Sequence, residues 1–441
     1  MRWYAAGAVA AALVLAFAYG PSYLGYDAAW ALVWGAELAD GRLPSYEVLF
    51  APTPHPLANL IAVPLSGSDE ALRWLSFAAF GALVAGAWAL GAEIGGIAGG
   101  AVAALLVATR SDLGREAAFG SVDLPFLALV VWAVIAAVRS GPALALALLV
   151  PAGLLRPEAW ALSLAVLVWA PQRRLVPLAL AAPVLWALSD LAVTGDPLHS
   201  LHGTRDLAAE LERPRGVGTA LGSLDDGLRD LTGEFALLAG MVGAGLAVWA
   251  GNRRAALIAC AAIGLGVAGF IAIGAAGLPV LFRYLLVPAT LLLVLAGGGF
   301  GATVRRAPVG AAVVALLVAA SVPATVDDLA RARDFTVLRA EIHGDLLAVT
   351  RASAFREAAE RCGPVVVPGF RARPFVMLAT DADVRVGNLP DGERGVLITY
   401  ADELSELVFN LGAPGEAQRQ SAPLNARPLA GNPSWRSYAV C

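Results

Sequence analysis

Residues 255–282 read AALIACAAIGLGVAGFIAIGAAGLPVLF; after a single Arg283, residues 284–304 read YLLVPATLLLVLAGGGFGATV. Each run is uncharged and can cross a hydrocarbon core about 30 Å thick, which takes roughly 20 helical residues. Outward from this pair, 3–26, 74–92, 235–252 and 307–326 are of the same kind. Shorter apolar runs lie at 94–109, 124–138, 140–155, 159–172 and 175–189. Flanking residues and neighbouring helices can complete spans of that length. The expected fold is an all-α polytopic membrane domain of about 11 transmembrane helices over residues 1–323. A small C-terminal extracytoplasmic α/β domain follows over 324–441.

A mean hydropathy of +0.69 and 58% hydrophobic residues exclude an ordinary soluble domain. The cations are all arginine, and their placement sets the orientation. If every run spans, Arg2, Arg139, Arg173, Arg174, Arg253, Arg254, Arg305 and Arg306 fall on one side. The positive-inside rule makes that side cytoplasmic, with the N-terminus inside and the C-terminal domain outside a plasma membrane. Residues 21–73 then form a large first external loop.

Composition shifts at Asp327-Asp328, which open a charged, helix-like run ending near Arg361. The segments 364–368 (PVVVP), 394–400 (RGVLITY) and 434–440 (SWRSYAV) read as strands, with an amphipathic helix at 401–411. Strands and helices in alternation give the small α/β domain. Cys362 and Cys441 both fall in the external tail, where a disulfide between them can persist. Cys260 lies mid-span as a small apolar residue.

The polar residues near the membrane carry the chemistry. Asp27 follows the first apolar run, at the water–lipid boundary, where partial desolvation raises the basicity of a carboxylate. That position suits a general base acting on an acceptor hydroxyl; the plain alternative is a solvated residue after a helix. The first external loop continues with Gly41-Arg42-Leu43-Pro44 and Thr53-Pro54-His55-Pro56-Leu57. The second holds Arg110-Ser111-Asp112, Arg115-Glu116 and Asp123, the last also an ordinary acidic helix start. Arg156-Pro157-Glu158 sets two charges between short apolar runs, where charges pair or face a cavity. Arg283-Tyr284 sits at the outer boundary, placed to bind phosphate bidentately or to snorkel beside a belt tyrosine. No cofactor is required by these residues. A divalent metal on His55, His199 and His202 is a weaker reading, since their spacing lacks paired acids.

The order of these parts resembles the GT-C superfamily of polyprenyl-phosphate-sugar-dependent glycosyltransferases, which includes protein O-mannosyltransferases and the lipid A aminoarabinose transferase. The resemblance rests on Gly-Tyr-Asp27, the Gly-Arg-Leu-Pro turn, Thr-Pro-His-Pro-Leu, the Asp123-Leu-Pro helix start, Leu-Arg156-Pro-Glu158 and Phe-Arg283-Tyr-Leu-Leu-Val-Pro. It departs from many members in one place: those carry Asp-Glu at the first site, whereas Asp27 is followed here by Ala28 and Ala29.

The resemblance implies an inverting transfer from a polyprenyl-phosphate sugar donor to a lipid, glycan or protein acceptor on the outer face. Asp27 and Asp123 would be catalytic, with His55, Asp112, Arg156, Glu158, Arg283 and Tyr284 binding substrate. Membrane lipids are the expected surroundings and nucleic acid is not a partner. Two readings from other classes compete. A lipid or solute transporter or flippase would place ionisable residues and broken helices near the midplane, in related halves. A non-catalytic scaffold would need only the external binding domain.

Overall fold

The computed structural model describes residues 2–48, 50–65, 68–380, 382–390, 392–409 and 426–441. Each apolar run becomes a helix, but length varies. Five helices are long and apolar enough to cross a membrane: Asp69–Ala108, Arg173–Thr194, Arg253–Ala275, Phe282–Thr303 and Pro308–Arg351. A sixth is the pair Leu224–Thr232 and Glu234–Ala250, bent by 100° at Gly233. Trp3–Tyr19, Pro142–Leu155 and Ala159–Trp169 are shorter, so local thinning of the bilayer or snorkelling of flanking residues would have to complete them.

Asp69–Ala108 contains two of the expected spans. A straight helix of that length would run roughly 60 Å at 1.5 Å per residue. Instead it folds back at Gly95 and Gly96, the latter at φ 73°, ψ −170°, a conformation open only to glycine. Beyond the fold, a Cβ at Gly100 would lie 2.7 Å from the Trp88 carbonyl and one at Gly91 would lie 2.7 Å from Ala103 Cβ. The two arms therefore pack at backbone distance, as small residues permit between helices in lipid. They clasp Leu286–Thr303, which is buried along nearly its whole length and forms the axis of the bundle.

The run 3–26 is not one span. Its helix ends at Tyr19, just before Pro21, which has no N–H to extend a ladder. The Tyr23 and Gly25 N–H groups then donate to the Ala118 and Phe119 carbonyls at 3.1 and 2.8 Å. A new helix, Tyr26–Ala39, follows. The apolarity of residues 20–26 comes from burial in protein rather than in lipid: Leu24, Ala28 and Leu32 share a core with Ile342 and Phe375 of the C-terminal unit.

Pro308–Arg351 leaves the bundle and continues unbroken past the compositional shift. Ser353–Cys362 comes next, then a five-stranded sheet: β1 (Val365–Val367), β2 (Val384–Val386), β3 (Gly395–Tyr400), β4 (Arg427–Gly431) and β5 (Trp435–Val440). The order is β2-β1-β3-β5-β4, parallel around β1 and antiparallel from β3 onward. The strand patterns at 364–368, 394–400 and 434–440 become β1, β3 and β5, and Glu403–Phe409 forms the amphipathic helix; residues 410–411 lie outside those described. Strands β2 and β4 carry no such pattern, because β2 has one buried residue and β4 none.

A disulfide joins Cys362 to Cys441, with Cα atoms 5.2 Å apart and a sequence separation of 79. Closing a loop of that size is worth roughly 4 kcal/mol in the chain-entropy model. Cys441→Ser is expected to lower the unfolding free energy of the C-terminal unit by about that much, read by denaturant titration. An unchanged midpoint would show that the bond contributes nothing.

Candidate active site

Five short elements converge at the end of the bundle beneath the C-terminal unit. Asp27 lies in the first turn of Tyr26–Ala39 and His55 is the cap of Pro56–Ala62. Asp123 opens Asp123–Arg139, and its N–H is held by the Ser121 hydroxyl at 3.1 Å. Arg156 and Glu158 occupy the turn between Pro142–Leu155 and Ala159–Trp169. Arg283 and Tyr284 fall in the 3₁₀ turn Phe282–Leu285 that starts the axial helix.

Charge pairing ties these elements together. Arg156 is 3% exposed and fully engaged: Nη1 donates to Asp123 Oδ1, while Nε and Nη2 donate to Glu158 Oε1 at 2.9 and 2.5 Å. Its guanidinium also lies 5.3 Å from the Tyr284 ring centroid, so it is held by both charge and ring face. Asp123 is 1% exposed. Arg283 bridges outward, with Nη1 3.3 Å from Asp27 Oδ2 and Nη2 3.5 Å from Asp123 Oδ1. These two contacts are long, and Arg283 and Asp27 keep 35% and 46% of their side chains exposed. The row Glu158–Arg156–Asp123–Arg283–Asp27 is thus sealed at Arg156 and Asp123 and opens towards Asp27.

The row has unused capacity. Asp123 Oδ2, Glu158 Oε2, Arg283 Nε and His55 Nδ1 are buried without a hydrogen-bond partner. A small cleft lined by Phe126, Glu158, Leu162, Gly266, Arg283 and Tyr284 opens beside them, partly continuous with solvent. Burial holds His55 below the usual imidazole range, and it feels Asp27 and Arg283 at close quarters.

The residues singled out in sequence divide accordingly. Asp27, His55, Asp123, Arg156, Glu158, Arg283 and Tyr284 gather here. Asp112 does not: it pairs with Arg115 at 2.5 Å and faces Asp230 and Asp328, with burial raising its pKa. His202 is taken by Asp196 at 2.6 Å, and His199 faces the Tyr46 carbonyl at 3.3 Å. Among the described residues no group of three or more His, Cys, Asp or Glu side chains could hold a metal ion.

Sequence reading names Glu116 in the second external loop but gives it no role. Burial, and next the charge of Asp123, raise its pKa to about 7, while Arg283 pulls the other way. It is a carboxyl that exchanges its proton near neutrality beside Arg283. Arg213 is also close, since its charge couples to Tyr284, Asp27 and Arg283 and burial lowers its pKa. Only the acidic–basic pairs in their loops signal either residue.

No protein-family model and no curated protein matches the chain. Solved structures do. ArnT from Cupriavidus metallidurans bound to undecaprenyl phosphate superposes with a TM-score of 0.57 at 16% identity, over 98% of this chain and 97% of that one. The oligosaccharyltransferase of Archaeoglobus fulgidus in complex with Zn and sulfate gives 0.52 at 12% identity, covering 86% of this chain and 62% of that one. The same enzyme tethered to an acceptor peptide with the NVT sequon gives 0.52 at 11%, covering 94% and 71%. A match over nearly the full length of one of these, membrane bundle and C-terminal unit together, identifies the architecture: this chain has the fold of ArnT.

Proposed function

We propose that the chain is a membrane glycosyltransferase that moves a sugar from a polyprenyl-phosphate donor to an acceptor on the outer face of the plasma membrane. The observation that carries this reading is the Asp27–Arg283–Asp123 row, half open to solvent, in a fold shared with ArnT bound to undecaprenyl phosphate. The bundle would cross the membrane eleven times with its N-terminus in the cytoplasm, as the arginine placement requires. The charged row clusters at one end of the bundle rather than at its middle, which speaks against a transporter.

Asp27 is the group free to act as base. It takes the proton of an acceptor hydroxyl as that oxygen bonds to the anomeric carbon, and the bond from that carbon to the phosphate oxygen breaks. Attack opposite the leaving group inverts the configuration. Arg283 receives the departing phosphate, its long contacts to Asp27 and Asp123 being the ones a phosphate can displace. Arg156 fixes Asp123 and so positions Arg283 without needing to touch substrate. No step is routed through a metal.

Purified protein with labelled polyprenyl-phosphate sugars and membrane extract as acceptor should transfer label. Label merely moved across the bilayer, or left untouched, would sink the reading. Arg283→Ala should weaken binding of the phosphate-bearing donor by roughly ten- to a hundred-fold, the worth of a charge-assisted contact. Donor affinity equal to wild type would place the phosphate elsewhere.

A further inference from the structure

A second cavity lies on the other side of Asp27, between the bundle and the C-terminal unit. Tyr23, Tyr26, Arg339, His343, Arg371 and Phe375 line it, around a small space partly open to solvent. Its polar lining is cationic or neutral, and no Asp or Glu is among the described residues that form it. Three of its polar atoms are buried with no protein partner: Tyr26 Oη, His343 Nδ1 and Arg371 Nε. Arg371 stands 5.8 Å over the Phe370 ring, and Phe370 in turn stacks on Phe50 at 4.3 Å and meets Tyr26 edge-on at 5.5 Å. Held by ring faces, the guanidinium keeps its N–H edge for an anion.

Position matters as much as charge. Tyr26 and Asp27 are consecutive residues of one helical turn, so their side chains diverge by roughly 100°. Asp27 turns to Arg283 while Tyr26 turns into this cavity. An anion seated here would lie on a different side of Asp27 from the proposed donor phosphate.

We propose that this cavity is an acceptor subsite that holds a phosphate monoester group of the acceptor, with Arg371 and Tyr26 as its ligands. The proposal rests on the glycosyltransferase reading above and adds its acceptor class. An acceptor anchored on Arg371 presents its hydroxyl to Asp27 from a different direction than Arg283, which leaves the side of the donor phosphate free.

The probe is sn-glycerol 3-phosphate, titrated calorimetrically onto the full-length protein in detergent, in the Arg283→Ala background so that the donor phosphate site does not contribute. Binding is expected there, and adding Arg371→Gln should weaken it at least tenfold, whereas Arg371→Lys should restore part of it. An unaltered melting temperature establishes that the variant is folded. Binding unchanged by Arg371→Gln, or absent before it, overturns the proposal. The titration is repeated in nanodiscs of phosphatidylcholine with and without phosphatidylglycerol. Loss of glycerol phosphate binding only when phosphatidylglycerol is present would assign the site to a bilayer headgroup and overturn the acceptor role. Failure of the parent reading looks different: phosphate binding persists with its Arg371 dependence, yet no polyprenyl-phosphate sugar is turned over.

Discussion

Asp27→Asn is expected to cut turnover by roughly 10²- to 10⁴-fold, the usual contribution of a positioned general base, while leaving the fold intact. The fold should survive because Asp27 is 46% exposed and its one charged contact is a long one. The substitution removes at most the modest stabilisation an acid gives to the first turn of a helix, about 0.3–1 kcal/mol. Donor binding should hold or tighten, since Arg283 loses a competitor for the phosphate. That pairing of outcomes separates a base from a merely structural acid: kcat falls while the affinity for a polyprenyl phosphate does not. Asp123 is the other catalytic expectation, but at 1% exposure and bonded to Arg156 it is poorly placed to reach a hydroxyl. Turnover of Asp27→Asn equal to wild type would remove Asp27 from the mechanism and turn attention to Glu116, whose pKa of about 7 already suits proton exchange.

How far the molecule is legible in its sequence depends on the range of the interactions concerned. Apolar runs mark helices because burial in lipid or core follows composition, and the patterns at 364–368, 394–400 and 434–440 mark strands because their alternation or continuity is local. The same logic misjudges 3–26, where composition cannot distinguish residues buried in lipid from Leu24, buried against Ile342 and Phe375. It places a reversal between the runs 74–92 and 94–109 but not its form, since one glycine pair among many decides that. The site is legible as an order of charged residues along the chain, but its pairing is not. Asp27 and Arg283 are 256 residues apart and meet only through tertiary packing. Asp112 shows the converse, since a charged residue in the right loop pairs locally with Arg115 and faces away from the cluster. Arg371 and Tyr26 acquire meaning only where the C-terminal unit docks on the bundle.

Arg156→Met should be the most damaging single change to stability. It leaves the carboxylates of Asp123 and Glu158 in a nearly sealed site with their guanidinium gone. Removing one partner of a buried ion pair costs about 3–5 kcal/mol, because the charge left behind is uncompensated rather than because the pair itself contributed that much. A lower melting temperature of the detergent-solubilised protein reads the loss. The same argument requires that Arg156→Met with Asp123→Asn be more stable than Arg156→Met alone, since the second substitution removes the stranded charge. Arg283 would still be present in the double variant, so donor binding can be measured in a folded protein whose positioning row is cut. If Arg156 only positions Arg283, donor affinity should fall by less than in Arg283→Ala. If Arg156→Met melts like wild type, the row is solvated enough to reorganise, and the division into a sealed and an open end is wrong.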